Sequence, residues 1–232
     1  MSIMRIHFVG INGASMRVLS ELCSSFGDII TGSDKMLNGH DKNNIVDADV
    51  IVYTNAVGEN NEEVMHARKL GKIVVERAEF LGKILEKYKT VLAVAGTHGK
   101  TSTSGFLASI FESKNPTLHI GGQLLNDFKI VKSTDCIICE SCEYRNSFFH
   151  IKSDIALILN MEFDHPDFFK DENDYIKSFQ TFAENSNKVV VNENISHFFK
   201  NAITFGLSDN SNYFVKKIKE TKTGVSFDVF HD

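Results

Sequence analysis

The stretch Thr90-Val-Leu-Ala-Val-Ala-Gly-Thr-His-Gly-Lys-Thr101 constrains the fold more than any other. An apolar run breaks into a glycine loop, and a helical pattern follows it. This reads as strand, phosphate-binding loop, helix. Such a loop turns backbone N–H groups inward at the positive end of a helix dipole, so it holds phosphates with few cationic side chains. Lys100 adds an ammonium and Thr101 a magnesium-binding hydroxyl. A strict Walker pattern would place glycine at position 94, where Val94 stands, so the shorter Gly-x-x-Gly-Lys-Thr form carries the reading. The competing reading, a glycine turn before a helix with a solvated lysine, fits the flanking strand and helix less well.

A chain of 232 residues, 42% of them apolar, can bury one large core or two modest ones, and two domains are expected. A net charge of −5 argues against nucleic acid or an anionic membrane as partner. No apolar run reaches the roughly eighteen residues needed to span a bilayer, and Met1-Ser-Ile-Met-Arg-Ile6 lacks the regions of a signal peptide. A cytoplasmic location is therefore expected. Cys136, Cys139 and Cys142 have the spacing of an iron–sulfur run. A fourth cysteine followed by proline is missing, and Asp135-Cys-Ile-Ile-Cys-Glu140 reads as a buried strand, so packing is the better account.

Along the chain, an apolar run at Arg5 to Val9 ends at Gly10-Ile-Asn-Gly13. Met16, Leu19, Leu22, Cys23 and Phe26 then recur at helical spacing. Strands are predicted at Asp28 to Thr31, leading to Gly32-Ser-Asp34, and at Asp49 to Thr54, leading to Asn55-Ala-Val-Gly58. A helix at Glu62 to Leu70, a strand at Lys72 to Val75 and a helix at Ala78 to Tyr88 complete a first unit, with a boundary near Lys89. Strands alternating with helices imply a parallel sheet. The second unit has strands at Val91 to Ala95, Thr117 to Ile120, Cys136 to Cys142, Ile155 to Leu159 and Lys188 to Val191. Its helices follow the phosphate loop and occupy Glu172 to Glu184, where Tyr175, Ile176, Phe179, Phe182 and Ala183 form an apolar stripe. A hairpin is predicted at Asn212 to Ile218 and Gly224 to Phe230.

In an open parallel sheet, ligands sit beyond the carboxyl ends of the strands. The phosphate loop, one of Glu140 or Glu143, and His165 can thus converge on one crevice. A glutamate supplies a hard oxygen for magnesium, and His165 supplies a nitrogen ligand or a polarising partner. Taken singly, each has an ordinary surface role; placed together after strands beside a phosphate loop, they point to a metal–nucleotide site.

Three ordered segments, Gly96-Thr-His-Gly-Lys-Thr-Ser102, Cys139-Glu-Ser-Cys-Glu-Tyr-Arg-Asn-Ser-Phe148 and Asn160-Met-Glu-Phe-Asp-His-Pro-Asp167, resemble the successive signatures of the Mur ligase family, over about Arg5 to Asn194. The resemblance implies an α/β fold, with a Rossmann-like parallel-sheet domain at 1–89 for a UDP-sugar and a P-loop-type central ATPase domain at 90–232, the latter incomplete. It implies ATP on Gly96, Thr97, His98, Gly99, Lys100, Thr101 and Ser102, with Lys100 on the β- and γ-phosphates. Magnesium falls to Thr101, Glu143 and His165, with Glu140 as the fallback acid. Glu143 is preferred because the family's metal-binding acid precedes an aromatic or aliphatic pair, matched by Phe148 and Phe149. His165 serves a second metal or the transferring phosphoryl.

The implied UDP-sugar site comprises Gly10, Asn12, Gly13, Ala14, Ser15 and Met16, with Ser33, Asp34 and Asn55 after the next two strands. Ser15 and Arg17 depart from the family's more glycine-rich loop. The implied activity is ATP-dependent joining of L-alanine to the lactyl carboxylate of UDP-N-acetylmuramate through an acyl phosphate, with these small molecules as the partners. A His-Asn adenine segment and a C-terminal domain are also implied. Their lack leads to the expectation of a fragment inactive alone, with apolar surface exposed around Phe214 and Phe227.

Three competing functions draw on the same residues. A nicotinamide site at Gly10-x-x-Gly13 with Asp34 lacks a full Gly-x-Gly-x-x-Gly. A stand-alone P-loop nucleotide hydrolase or kinase would use the same phosphate loop without any sugar nucleotide. A non-catalytic UDP-sugar-binding module would hold its ligand without turnover.

Overall fold

The computed structural model describes residues 3–121 and 134–231. In chain order it builds β1 (Arg5–Val9), α1 (Ala14–Ser25), β2 (Ile29–Ser33), β3 (Val50–Tyr53), α2 (Glu62–Lys69), β4 (Ile73–Glu76) and α3 (Arg77–Leu85). There follow β5 (Thr90–Ala95), α4 (Lys100–Ile110), β6 (Thr117–His119), β7 (Cys136–Glu140), β8 (Ser153–Ile158), α5 (Glu172–Glu184) and β9 (Ser186–Asn192). Last come β10 (Ile203–Gly206), β11 (Tyr213–Thr221) and β12 (Gly224–His231). The chain divides into two compact units, Met1–Lys89 with Gly105–Ile138, and Thr90–Ser104 with Cys139–Asp232.

In the first unit a parallel sheet runs in the order β2-β1-β3-β4. Parallel strands are covered on both faces, which is why β3 reads as an unbroken apolar run and β1 as a mainly apolar one, broken only by His7 after the exposed Arg5. Ile6, Phe8, Val9 and every residue of β3 are buried. Met16, Leu19, Leu22 and Cys23 form the buried stripe of α1, and Phe80 of α3 meets Phe8 edge-on at 6.1 Å.

A buried acid lies inside this unit. Glu63 is fully enclosed in the first turn of α2, where Asn61 caps the helix by accepting from the Glu63 and Val64 N–H groups. Its carboxylate accepts from Ser33 Oγ, from His40 Nδ1 at 3.1 Å, from the Asp41 N–H at 3.2 Å and from Asn44 Nδ2 at 2.6 Å, with His7 Nε2 3.8 Å away. Burial by itself would raise this carboxyl, but His7, Ser33, Asn44 and the Asp41 amide outweigh it and hold it at about 2 against 4.5. A depressed carboxyl stabilises the fold above its unfolded value and ceases to do so as pH falls through its folded one. Stability on the order of 3 kcal/mol should thus fade between about pH 4.5 and 2. Glu63→Gln should lower the denaturation midpoint at pH 7, and the gap to the wild type should close as the pH is taken down through that window. An equal gap at pH 7 and pH 3 would refute the assignment.

In the second unit the sheet runs β12-β11-β10-β9-β8-β5, and β5 has β7 on its other side. The pairs from β5 to β11 through β8, β9 and β10 are parallel, and β11 with β12 closes as an antiparallel hairpin. Tyr175, Phe179 and Phe182 of α5 are fully buried, and Asp171 caps that helix by accepting from the Asp174 N–H.

Three expectations need correction. β7 ends at Glu140, so Ser141 and Cys142 lie outside the strand and Cys142 is exposed, while Cys139 is buried. β10 is a strand that the residue pattern did not announce. Phe214 is 8% exposed and stacks on Phe230 at 5.5 Å, since it points inward from β11. Phe227, 52% exposed between Val225 and Val229, does carry an apolar outer face.

Candidate functional site

Three adjacent strands, β8, β5 and β7, end on one edge of the second unit, and the loops that follow them build the site. After β5 the chain turns through Gly96 (φ 144°) and Gly99 (φ 82°) into α4. A Cβ on Gly96 would sit 3.1 Å from Leu159 Cβ and 3.3 Å from the Asn160 nitrogen, and that φ is strained for any side chain, so glycine is required there. Lys100, the first residue of α4, folds back over the loop. Its ammonium donates to the Gly96 carbonyl, to the Thr97 carbonyl at 3.3 Å and to Glu143 Oε2 at 3.1 Å.

Glu143 stands in the turn after β7 with its side chain 3% exposed. Arg145 (φ 53°) and Asn146 (φ 55°) are both left-handed, a conformation that costs a non-glycine residue about 1 kcal/mol or more. Their turn is tied down by Asn146, whose N–H donates to the Glu143 carbonyl and whose Oδ1 accepts from Ser178 of α5 at 2.6 Å. After β8, His165 (φ 56°) sets its Nε2 3.5 Å from Glu143 Oε1 and 3.8 Å from Asp164 Oδ2. Tyr144 packs 4.6 Å from the His165 ring and donates to Asp167 Oδ2 at 2.7 Å, which holds the Asp167 carboxyl below its ordinary range. Lys100 and His165 therefore meet on the same carboxylate. Glu140 lies partly buried at the end of β7.

The donor chemistry fits magnesium held with a nucleotide. Among the described residues no group of three or more His, Cys, Asp or Glu could hold a metal ion unaided. Magnesium is usually taken by one or two carboxylates, water and substrate phosphates, and asks for no such cage. Glu143 offers the hard oxygen. Thr101, on the first turn of α4, makes no side-chain hydrogen bond among the described residues, which leaves its hydroxyl for a ligand. His98 and Ser102 are exposed on the loop and helix, with His98 Nε2 3.5 Å from Glu162 Oε2.

The residues expected to hold a UDP-sugar lie in the first unit. Gly10 (φ 88°) donates to the Ser33 carbonyl at 2.8 Å, and Gly13 donates to the Gly10 carbonyl at 3.1 Å. Gly13 is the N-cap of α1 and brings no side-chain cap to that helix start. Ala14 and Asn12 are exposed, the Asn12 N–H reaches Asp34 Oδ2 at 3.3 Å, and the exposed Asn55 donates to Glu76 at 3.3 Å. Met16 and Ser33 have buried side chains, the latter committed to Glu63, so they could offer a ligand only backbone. Ser15 Oγ accepts from Arg77 Nη1 and lies 3.2 Å from His119 Nε2. Burial, and then the Arg77 charge, push His119 down to about 4, so it is neutral at pH 7. Arg77 and His119 escaped the sequence reading because only spatial proximity, across 62 and 104 residues from Ser15, gives them meaning.

Comparison with known proteins identifies the family. Residues 94–232 match the Mur ligase middle domain and residues 5–89 match "Mur ligase family, catalytic domain". The UDP-N-acetylmuramate--L-alanine ligase of Acetivibrio thermocellus is 36% identical, aligned over 98% of this chain and 55% of that protein. The enzyme of the same name from Clostridium novyi is 34% identical, over 98% and 56%. The chain thus spans about half the length of the curated relatives it matches. In fold, it resembles the crystal structure of UDP-N-acetylmuramate-alanine ligase MurC from Thermotoga maritima, with a TM-score of 0.83 at 24% identity over 98% of this chain and 58% of that one.

Proposed function

The chain belongs to the Mur ligase family, and from that premise we propose that it serves the ATP-dependent joining of L-alanine to the lactyl carboxylate of UDP-N-acetylmuramate. The setting is peptidoglycan precursor synthesis in the cytoplasm. Residues 1–89 are the UDP-sugar domain and residues 90–232 the ATP-binding domain, of which Gly105–Ile138 groups with the first compact unit. The meeting of Lys100, Glu143 and His165 beside a glycine loop is the observation that carries this reading.

A carboxylate is a poor electrophile at neutral pH, and transfer of the ATP γ-phosphoryl group to it supplies the activation. The lactyl carboxylate oxygen attacks the γ-phosphorus, ADP leaves, and the L-alanine amine then displaces phosphate from the acyl phosphate. Positioning and charge stabilisation dominate such phosphoryl transfers. The loop and helix start at 96–102, apart from the His98 N–H that Asn160 takes, cradle the phosphates, and Lys100 turns from Glu143 to the β- and γ-oxygens. Glu143 and Thr101 would hold magnesium, which would supply positive charge against the charge that develops on the phosphoryl group. His165, kept against Glu143, faces the transferring phosphoryl.

Calorimetry on the chain tests the reading. UDP-N-acetylmuramate and magnesium–ATP should each bind, and NADH should not. Lys100→Ala should abolish the ATP isotherm and leave that of the sugar nucleotide in place. Binding of ATP without any UDP-sugar would favour a stand-alone nucleotide hydrolase, and UDP-sugar binding without ATP a non-catalytic module. Either result overturns the proposal, as does NADH binding.

A further inference from the structure

We propose that Asn160 and Tyr175 are positioning residues that hold the phosphate loop in its binding shape before nucleotide arrives. The inference rests on the ATP-binding reading above. Asn160, just beyond β8, closes its side-chain amide on one loop residue. Its Oδ1 accepts from the His98 N–H at 2.9 Å and its Nδ2 donates to the His98 carbonyl at 3.1 Å. One side chain thereby fixes both backbone polar groups of a residue that lies between two glycines.

Tyr175 acts on the neighbouring position through Thr97. The Thr97 hydroxyl is 2.9 Å from the Glu162 carbonyl, 2.9 Å from the Glu162 N–H and 2.8 Å from the Tyr175 hydroxyl. A threonine hydroxyl has one proton and two lone pairs. The Glu162 carbonyl can only accept, so it takes the Thr97 proton. The Glu162 N–H and the Tyr175 O–H must then both donate. Tyr175 is fully buried, and burial raises its phenol well above the ordinary range, which keeps that proton in place. The hydroxyl of Thr97 is thus saturated, and it is unavailable to a phosphate.

The physical consequence is preorganisation. Glycine explores more conformations than any other residue, so a loop with glycines at 96 and 99 would lose much freedom on closing around phosphates. Anchoring residues 97 and 98 to β8 and α5 removes most of that loss before binding, and affinity rises accordingly.

Tyr175→Phe, which deletes one hydroxyl from a buried ring, should weaken magnesium–ATP binding about fivefold. Asn160→Ala, which deletes two hydrogen bonds, should weaken it on the order of tenfold or more. Thr97→Val should weaken it too, and the double variant Thr97→Val/Tyr175→Phe should fall no further than Thr97→Val alone, because both act through one hydroxyl. In the ligand-free chain, amide exchange at His98 and Gly99 should speed up in Tyr175→Phe and Asn160→Ala, while amides of β1 keep wild-type protection. Additive losses in the double variant, or wild-type exchange at His98 in a folded Asn160→Ala chain, would overturn the proposal. The exchange measurement needs no nucleotide: if the wild type bound no ATP, the functional reading would fail while the clamp was still tested.

Discussion

Glu143→Gln should uncouple nucleotide affinity from magnesium. The Lys100 ammonium lies 3.1 Å from Glu143 and also bonds the Gly96 and Thr97 carbonyls. A nucleotide must draw that lysine away and leave Glu143, enclosed and 3% exposed, facing polyphosphate. Two like charges about 4 Å apart repel by about 4 kcal/mol at an effective dielectric of 20. Glu143, once freed, would serve as a magnesium ligand, and the cation's charge would offset both the carboxylate and the phosphates. ATP binding by the wild type should therefore strengthen on the order of a hundredfold with magnesium. In Glu143→Gln the metal-free affinity should rise and the magnesium effect fall below about fivefold. Lys100→Ala should lose on the order of a hundredfold in affinity with magnesium present, since the ammonium's attraction to the phosphates is gone. Glu140→Gln should retain the magnesium effect. Titration of each variant with ATP, with and without the metal, gives the comparison; a Glu143→Gln chain with full magnesium dependence beside a Glu140→Gln chain without it would move the metal to Glu140.

The phosphate-loop region was legible in the sequence because its parts are local. An apolar strand, two glycines, and a lysine opening a helix need no distant residue to be recognised. Helix α5 lies where its apolar stripe predicts it, at Glu172 to Glu184, because that stripe is written at helical spacing; the Asp171 cap is seen only in the structure. What escaped was short or non-local. β10 is four residues long and too brief to show alternation; pairing with β9 and β11 makes it a strand. Ser141 and Cys142 continue the residue pattern of β7, yet the backbone leaves the strand there to set the turn carrying Glu143. Glu63 resembles any acid at a helix start until Ser33, His40, Asn44 and Asp41 close around it. Asn160 and Tyr175 act on residues 62 and 78 positions away, and no local pattern marks that.

Phe148→Ala should be the most damaging single change in the second unit. The ring is fully buried, stacked on Phe182 at 4.7 Å and 5°, edge-on to Phe179 at 5.3 Å, and beside Phe149 at 5.6 Å. Its truncation removes a large apolar volume from a packed aromatic cluster, a change that costs about 3–5 kcal/mol where the surroundings collapse only partly. The loss also reaches the site. The Phe148 N–H donates to the Cys142 carbonyl at 3.0 Å, so the residue closes the turn on which Glu143 stands, and within that turn Arg145 and Asn146 are left-handed. A conformation disfavoured in two successive residues persists only while its surroundings enforce it, and Phe148 anchors the turn to α5. Denaturant titration should show the destabilisation, and amides of α5 and β8 should lose hydrogen-exchange protection while those of β1 and β3 keep it. Magnesium–ATP affinity should drop under conditions where the variant is still folded, because the turn no longer holds Glu143 where it would take the metal. Phe148→Leu, which refills much of the volume, should restore most of the affinity at a cost of about 1–2 kcal/mol. A loss in Phe148→Ala below about 1 kcal/mol, or nucleotide affinity equal to the wild type's, would mean that the turn holds its shape without the ring.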